Sequence, residues 1–461
     1  MHIRESSYGY WSSTRSFVWV AAGATIGIGN FARLPYLMSE YGGLLFLGAY
    51  LVALLVVGLP LLAAEWMLGR WMRDGLIAGF RRLTREAGVH VAWTGIGWLA
   101  LASAILILSY YSVIAGWSLA YALRATAMDF HTMSAETAGS VFLQLAQDPE
   151  RSLSWHTIFM VIVCIVVAQG VRDGIERAAM RLVPAAFTVA LLLCGYTLLK
   201  TDARGALALL LEPDMSRFGW RGALEALHQA FFTLGLGIGA MLGLGSYLPA
   251  SAPIKRLALT VLLMDAVFSL VAGLAVFACI YSAGLKPEPG LALMFQVFPR
   301  SVPPTFAGTL LAVGLYLAMF LITLTSATAL LEPVTRYLMD RMRLTRVFAA
   351  AGAALLIWYL GLGTLLSFSI IADVSVLGRN FFEWVQWLSA SWFAPLGGLL
   401  VCVLVVSVLP RDLVRQLWGE PDRWLFPTWF GLLRYPARIG LILVLLYAAG
   451  LLGWLASLWG F

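Results

Sequence analysis

Two short glycine-rich segments contain the groups that could do chemistry. The first covers residues 23–30 and the second covers residues 233–246. Both lie within apolar stretches long enough to cross a bilayer, where each interior glycine weakens a helix by about 1 kcal/mol relative to alanine. These segments predict membrane helices that are interrupted, with unpaired backbone groups free to bind a ligand or an ion. Paired interruptions in two halves of a chain indicate the substrate site of a secondary transporter.

Close packing of helices is the alternative explanation for glycines in a membrane protein. An isolated glycine in a membrane helix more often serves that purpose. Here the glycines form clusters, and Asn30 and Thr233 lie beside them at matching positions in the two halves. This arrangement favours ligand binding over packing.

Asp265 is the single residue that discriminates most between possible functions, because it lies in the middle of an apolar segment. A carboxylate there costs about 2.5–3.5 kcal/mol on insertion scales, so it is expected to have a partner such as a cation or a proton. Ser269 lies one helical turn later and therefore faces the same way. A protonated or hydrogen-bonded structural aspartate is the alternative.

The composition indicates a protein that crosses a membrane many times. Of its 461 residues, 61% are hydrophobic and 12% are charged, with a mean hydropathy of +0.85. About 20 apolar residues cross the hydrocarbon core. We predict an all-α polytopic membrane protein with eleven transmembrane helices, near residues 17–38, 44–68, 92–124, 156–170, 181–199, 222–248, 257–283, 305–338, 347–366, 384–409 and 438–459.

The basic residues predict how these spans are oriented. Five arginines lie between residues 70 and 85, after the second span, and four lie between residues 336 and 346, after the eighth. The positive-inside rule then makes residues 1–15 a cytoplasmic tail and places the C-terminus outside. The net charge of +7 is explained by topology and lipid head groups, so we expect no nucleic-acid partner.

The eleven spans divide into two halves and an appendage. Spans one to five (residues 16–200) and six to ten (201–410) are predicted to form a 5+5 inverted repeat, in which helices 1 and 6 are discontinuous. Residues 411–461 would form a cytoplasmic loop and one extra C-terminal helix. Such repeats place the substrate site near the membrane midplane.

No signature of an enzyme occurs in the chain. It contains no HExxH metalloprotease motif, nucleophile elbow or phosphate loop, so we expect neither an enzyme nor an organic cofactor. His228 is the one mid-span histidine and is expected to be a packing residue. The four cysteines lie within predicted spans and are expected to be small apolar core residues.

Motifs in the first ten spans resemble the neurotransmitter:sodium symporter family, whose members have the leucine-transporter fold. Together these motifs are highly specific, although each alone would be weak. They are Trp11, the run AAGATIGIGNFARLP at 21–35, EYGG at 40–43, GLP at 58–60 with Glu65 and Gly69-Arg70, QAFFT at 229–233, and LTS at 324–326 with Glu332.

The resemblance implies two sodium sites, and sodium prefers oxygen ligands. The first would use Thr25, Asn30, Thr233, Asp265 and the carboxylate of the substrate. The second would use the carbonyls of Gly23, Ile26 and Ile322 with the hydroxyls of Thr325 and Ser326. Hydroxyls bonded to their own helix are the alternative for Thr325 and Ser326.

The resemblance also bears on chloride. Most chloride-dependent relatives have asparagine at the position of Asp265 and bind chloride in the adjacent pocket. This chain keeps the rest of that pocket in Tyr50, Gln229, Thr233 and Ser269. We therefore expect Asp265 to supply the negative charge that chloride would bring, which makes transport independent of chloride.

Gly27 indicates the class of substrate. Monoamine carriers of this family have an aspartate at that position, which replaces the carboxylate that their substrates lack, so a glycine here implies an α-amino acid. Its carboxylate would meet the amides of Ile28 and Gly29 and the hydroxyl of Tyr111. Its ammonium would meet the carbonyls of Thr25 and Phe232.

The pocket for the substrate side chain is expected to be apolar, so a charged side chain would be left unpaired there. Gly235 and Ala327 suggest room for a branched, sulfur-containing or aromatic group. The predicted lining is Ile107, Phe232, Gly235, Ile238, Ala327 and Leu330, with Thr233 and Ser326 among the substrate contacts.

Four residues of this chain lie at gate positions of the family, and three of them have the residue type that the family has there. Arg33 should lie just outside the substrate with Phe232 as the lid, and the family pairs this arginine with an acid on the tenth span. Here Gln386 takes that position, with Glu383 one turn earlier, so the outer gate is weaker or differently paired. Inside, Tyr247 and Asp340 match, whereas the N-terminal arginine of the family falls on Tyr8 and leaves Arg4 as a displaced candidate.

We therefore expect a sodium-coupled symporter that imports neutral, hydrophobic α-amino acids by alternating access. Its expected location is a bacterial inner membrane, with lipid as its surroundings. A proton-coupled carrier that uses Asp265 and a membrane sensor that binds an amino acid without moving it are the alternatives. The sequence leaves the amino acid, the sodium stoichiometry and the oligomeric state open.

Overall fold

A computed structural model of the chain describes residues 9–127, 130, 133–201, 204–419 and 424–452. Within those ranges nine helices are long and apolar enough to cross a membrane, and a bent pair of helices makes a tenth. The bent pair is span 1, with helix 1a at Thr14–Thr25 and helix 1b at Ile28–Glu40. The others are span 2 (Leu44–Met72), span 3 (Val91–Ala127), span 4 (Pro149–Ala168), span 5 (Val171–Lys200), span 7 (Ile254–Ser282), span 8 (Phe306–Met342), span 9 (Arg346–Leu366), span 10 (Phe381–Val408) and span 11 (Leu425–Ala448).

Span 6 consists of two shorter helices, 6a (Trp220–Thr233) and 6b (Ala240–Gly245). Between them the chain turns through Gly235, Gly237 and Gly239, at φ values of +59°, +74° and +82°. Glycine adopts this left-handed conformation without the steric penalty of a Cβ atom. The predicted interruption of span 6 is therefore present among the described residues, and the count of eleven spans stays a prediction.

Span 1 is interrupted where the first glycine cluster predicts it. Helices 1a and 1b meet at an angle of 60°, and Gly27 precedes the first turn of helix 1b. The side chain of Asn30 accepts a hydrogen bond from the Gly27 amide at 2.7 Å. This bond supports the start of helix 1b, as capping side chains do at helix N-termini.

The last span differs from its prediction. It begins at Leu425 and its helix ends at Ala448, about ten residues before the predicted 438–459, part of which lies outside the described residues. The earlier start brings two prolines, Pro427 and Pro436, and one arginine, Arg434, into the span. The helix accommodates Pro436 in a wider π-helical turn over Leu433–Ala437, and Arg438 donates to Ser407 of span 10 at 2.6 Å. The division into inverted repeats stays a prediction.

The two interruptions lie inside the helix bundle. Helix 1a packs against spans 5, 7 and 8, helix 6b packs against span 2, and spans 3 and 8 pack extensively against each other. Helix 1b lies against span 7, where Gly273 leaves room for Pro35. The unpaired backbone groups of both interruptions are thus surrounded by protein, as irregular backbone at membrane depth must be.

Replacing Gly69 with alanine is expected to destabilise the contact between span 2 and helix 6b. An added Cβ atom would lie less than 3.0 Å from the carbonyl oxygen of Leu242, and neither backbone can yield without separating the helices. Overpacking of this kind costs about 1–3 kcal/mol, which thermal unfolding in detergent measures as a lower midpoint. Gly48→Ala in the same span is the control, because nothing lies within 4 Å of its added Cβ. Equal midpoints for the two variants would contradict the packing argument.

Candidate substrate and ion sites

A cluster of oxygen and amide groups surrounds Asp265, which is completely buried in span 7. Asn30 Nδ2 of helix 1b lies 3.0 Å from Asp265 Oδ1, and the hydroxyl of Thr233, the last residue of helix 6a, lies 2.9 Å from Oδ2. Tyr50 of span 2 approaches Oδ2 at 3.4 Å. The structure therefore brings together the side chains predicted for the first sodium site, at the point where both interruptions meet span 7.

These neighbours suit a charged carboxylate. An amide nitrogen and two hydroxyls direct donors at Asp265, and a carboxylate accepts through both oxygens. Thr25 ends helix 1a nearby, and the last carbonyls of a helix have no partner in a following turn. The cluster thus combines one buried negative charge with neutral oxygens, which is the donor set that a hard monovalent cation prefers.

A second oxygen cluster lies between helix 1a and span 8. Thr325 Oγ1 is 3.0 Å from the Gly23 carbonyl oxygen and 2.8 Å from that of Ile322. Ser326 Oγ lies 3.3 Å from the Ile322 oxygen. Four residues of the predicted second sodium site are therefore in contact, and the fifth, Ile26, is buried just after helix 1a. The hydroxyls also bond to their own helix, the alternative that the sequence left open.

The start of helix 1b is closely packed at Gly27 and open at Gly29. A Cβ atom on Gly27 would lie 2.9 Å from the hydroxyl oxygen of Tyr111, whereas a Cβ on Gly29 would meet nothing within 4 Å. The Tyr111 hydroxyl is hydrogen-bonded to Ser326 Oγ at 2.8 Å. Tyr111 thus connects span 3, helix 1b and span 8 at the N-terminal amides of a helix, where an anionic group is stabilised.

The residues predicted for the side-chain pocket lie on the elements around this space. Ile107 of span 3 and Ala327 and Leu330 of span 8 are buried, and those two spans pack together. A Cβ on Gly235 would lie 3.5 Å from Ile238 Cδ1 and 3.9 Å from the Ala24 carbonyl oxygen. The interruption of span 6 therefore faces the interruption of span 1 through small and apolar groups.

The residues of the predicted chloride-like pocket adjoin Asp265. Ser269 Oγ is 2.7 Å from Asn30 Nδ2 and also bonds to the Asp265 carbonyl oxygen. Gln229 is buried one turn before Thr233, and its Oε1 atom has no hydrogen-bond partner among the described residues. Tyr50 and Thr233 bond to the carboxylate itself. The carboxylate thus lies beside the polar groups that the resemblance assigns to chloride.

Glu40 is the last residue of helix 1b and marks one side of the pocket. On that side, Arg33 of helix 1b forms a charged cluster with helix 6a. Its Nη2 atom lies 3.2 Å from Glu225 Oε2 and 3.0 Å from His228 Nδ1. The guanidinium carbon lies 5.7 Å from the centroid of the Phe232 ring. Gln386, at the position where the family has its acid, is exposed on span 10, and Glu383 accepts the Asn380 amide as a helix cap.

The opposite side of the pocket has its own polar network. The Tyr247 hydroxyl donates to Glu332 at 2.5 Å, and Glu332 also forms an ion pair with Arg346 at the start of span 9. The Trp11 amide donates to the Tyr247 carbonyl oxygen at 3.2 Å. Asp340 lies beside Gly75 near this end, and Arg4 and Tyr8 lie outside the described residues.

Sequence reasoning missed three acids in these networks. From the sequence, Glu225 is expected to be a solvated charge near the end of a span. Glu332 and Glu65 belong to the family motifs, but no role for them is predicted from the sequence. Glu65 is completely buried, and its Oε1 atom accepts the Gly237 amide in the interruption of span 6 at 2.7 Å. Their residue type could have indicated a role, because an acid inside an apolar segment needs a partner.

Comparisons with known proteins agree with this geometry. The model of the sodium:neurotransmitter symporter family matches residues 8–138 and 141–416. An uncharacterized sodium-dependent transporter of Bacillus subtilis, YhdH, is 31% identical over 445 residues, which cover 96% of this chain and 98% of the relative. The sodium-dependent neutral amino acid transporter B(0)AT2 of Bos taurus is 28% identical over 51% of this chain and 36% of its own length.

A solved structure shares the fold over almost the whole chain. It is the crystal structure of MhsT in complex with L-phenylalanine, with a TM-score of 0.86 and 31% sequence identity, covering 95% of this chain and 99% of that one. The predictions of the family, of the helical membrane fold and of a transporter rather than an enzyme are thus confirmed. The chain belongs to the sodium:neurotransmitter symporter family and is a sodium-dependent transporter with the leucine-transporter fold.

Proposed function

We propose that this transporter imports neutral, hydrophobic α-amino acids together with sodium and without chloride. The observation that carries the proposal is the open space beside Gly29 at the N-terminal amides of helix 1b, with the Tyr111 hydroxyl packed closely against Gly27. No acidic side chain occupies the Gly27 position, so the substrate supplies its own carboxylate. MhsT, which is similar over nearly the whole chain, was solved with L-phenylalanine bound.

The substrate carboxylate would bind to the amides of Ile28 and Gly29, with the Tyr111 hydroxyl as a further donor. Its ammonium would bind to the carbonyl of Thr25, the last residue of helix 1a, and to that of Phe232, whose oxygen also accepts the Gly235 amide just after helix 6a. The substrate side chain would lie among Ile107, Gly235, Ile238, Ala327 and Leu330. Apolar walls leave a charged side chain unpaired, which selects neutral amino acids.

We propose two sodium sites in the two oxygen clusters. In the first, Thr25, Asn30, Thr233 and Asp265 would bind sodium together with the substrate carboxylate, which couples the two cargoes. In the second, Gly23, Ile26, Ile322, Thr325 and Ser326 would supply neutral oxygens. The donors that surround Asp265 support an ionised carboxylate, the form that chloride independence requires.

We propose a plasma membrane location, in a bacterium, with the N-terminus inside and the C-terminus outside. Arg81 and Arg85, on the helix Leu76–Glu86 between spans 2 and 3, and Arg341 and Arg343, at the end of span 8, are exposed on the side that this orientation makes cytoplasmic. The Arg346 network with Tyr247 and Glu332 would then be the inner gate. Arg33 and Phe232 would lie on the outer side of the pocket.

Uptake into proteoliposomes tests this proposal. Labelled L-phenylalanine and a mixture of labelled neutral amino acids would be offered with an inward sodium gradient, against an equal potassium gradient at fixed pH. We expect accumulation only with sodium, and equal accumulation when gluconate replaces chloride. Accumulation without sodium would make Asp265 a proton carrier, and binding without accumulation would indicate a sensor. Stimulation by chloride would contradict the role proposed for Asp265.

A further inference from the structure

The acid that pairs with Arg33 lies on a different helix from the one that the family resemblance indicates. Arg33 donates to Glu225 of helix 6a at 3.2 Å, and also to His228 Nδ1, which must accept because a guanidinium has only donors. The Glu383 carboxylate is engaged in capping the start of span 10. Glu225 is therefore the counter-ion of Arg33 among the described residues.

This ion pair lies beside Phe232, the predicted lid of the proposed substrate pocket. Arg33 is four residues after Gly29, so both lie on the same face of helix 1b. The guanidinium contacts Phe232, and the His228 ring lies 6.2 Å from the Phe232 ring, measured between centroids. Side-chain exposure is 31% for Arg33 and 15% for Glu225, so the pair is largely withdrawn from solvent. It therefore lies against the residue that is predicted to be the lid of the pocket.

Glu225 also connects this pair to the last span. Its Oε1 atom accepts the hydroxyl of Tyr447, on span 11, at 3.1 Å, while Oε2 accepts Arg33. Span 11 packs against both helix 6a and span 10. If the ion pair joined helices 1b and 6a alone, nothing in it would fix these two helices relative to the rest of the bundle. The bond to Tyr447 ties them to a neighbouring span, which is the connection that a gate requires.

We propose that Glu225, held by Tyr447 of span 11, closes Arg33 over the substrate pocket in place of an acid on span 10. Glu225 is a positioning residue, because it acts on the substrate through Arg33. The extra C-terminal span thereby acquires a role in gating. This inference rests on the proposed function, because it requires a substrate beneath Phe232.

The dissociation rate of bound substrate tests the inference. Purified full-length protein would be loaded with tritiated L-phenylalanine in saturating sodium, then chased with unlabelled L-phenylalanine. We expect Glu225→Gln to speed dissociation about tenfold, because losing one partner of a hydrogen-bonded charge pair acts on the dissociation rate. Tyr447→Phe, which keeps the ion pair, is expected to speed it about threefold, and Glu225→Asp to restore most of the wild-type rate.

The number of binding sites separates gating from a merely structural role. A structural role would lower the number of sites and leave the rate unchanged for the protein that still binds, which would overturn the inference. Glu383→Gln is the matched variant on span 10, and a rate increase there as large as in Glu225→Gln would also overturn it. Failure of the wild type to bind any neutral amino acid would instead contradict the proposed function.

Discussion

Replacing Asp265 with asparagine is expected to lower sodium-dependent uptake in chloride-free medium by about a hundredfold or more. The carboxylate is completely buried, and the groups around it are donors suited to a negative charge. Removing one partner of a buried charge pair costs about 3–5 kcal/mol, and each 1.4 kcal/mol is a factor of ten. In this variant, sodium would lose the carboxylate of Asp265 as its negatively charged partner. Initial uptake rates at several sodium concentrations measure the loss.

Chloride is expected to restore part of the uptake by the Asp265→Asn variant. Asparagine has nearly the same shape and keeps a carbonyl oxygen for sodium, while Tyr50, Ser269 and Gln229 remain as polar neighbours of an anion. Asp148→Asn is the control, since Asp148 caps span 4 and forms an ion pair with Arg151 away from the pocket. Full chloride-free uptake by Asp265→Asn would refute the role of the carboxylate.

The interruptions of spans 1 and 6 could be predicted because their cause is local. Gly235, Gly237 and Gly239 have a backbone conformation that residues other than glycine rarely adopt. Helix 1b begins directly after Gly27, whose amide donates to the Asn30 side chain. The residues around Asp265 could also be proposed, because a mid-span carboxylate needs partners and the resemblance supplies candidates. The first inference depends on residue type and short spacing, and the second depends on residue type together with the family resemblance.

Contacts between distant parts of the chain could not be predicted in the same way. Arg33 and Glu225 are 192 residues apart, and Glu225 and Tyr447 are 222 residues apart, so no spacing rule joins them. The early start of span 11 was missed for a related reason. Residues 425–437 contain Arg434 and two prolines, which a membrane helix admits only where its surroundings accommodate them, as the π-helical turn does at Pro436.

Replacing Gly27 with aspartate is expected to abolish amino-acid uptake, with a loss of about a hundredfold or more. The first added atom would lie 2.9 Å from the Tyr111 hydroxyl oxygen, so the new side chain would enter the space assigned to the substrate carboxylate. Two carboxylates cannot share the same helix N-terminus without one remaining unpaired, and a buried unpaired charge is strongly unfavourable. Sodium-dependent uptake and binding of L-phenylalanine measure the effect.

Gly27→Ala separates the effect of charge from that of volume. It adds the same Cβ atom beside Tyr111 without a carboxylate, and a shift of the Tyr111 side chain by a few tenths of an ångström relieves the contact, so we expect a loss of about tenfold. In the aspartate variant, an amine without a carboxylate, such as phenylethylamine, should bind better than L-phenylalanine, because the protein now supplies the negative charge. If alanine abolishes uptake as completely as aspartate does, volume alone controls the site. The presence of glycine at residue 27 would then give no information on whether the substrate has a carboxylate.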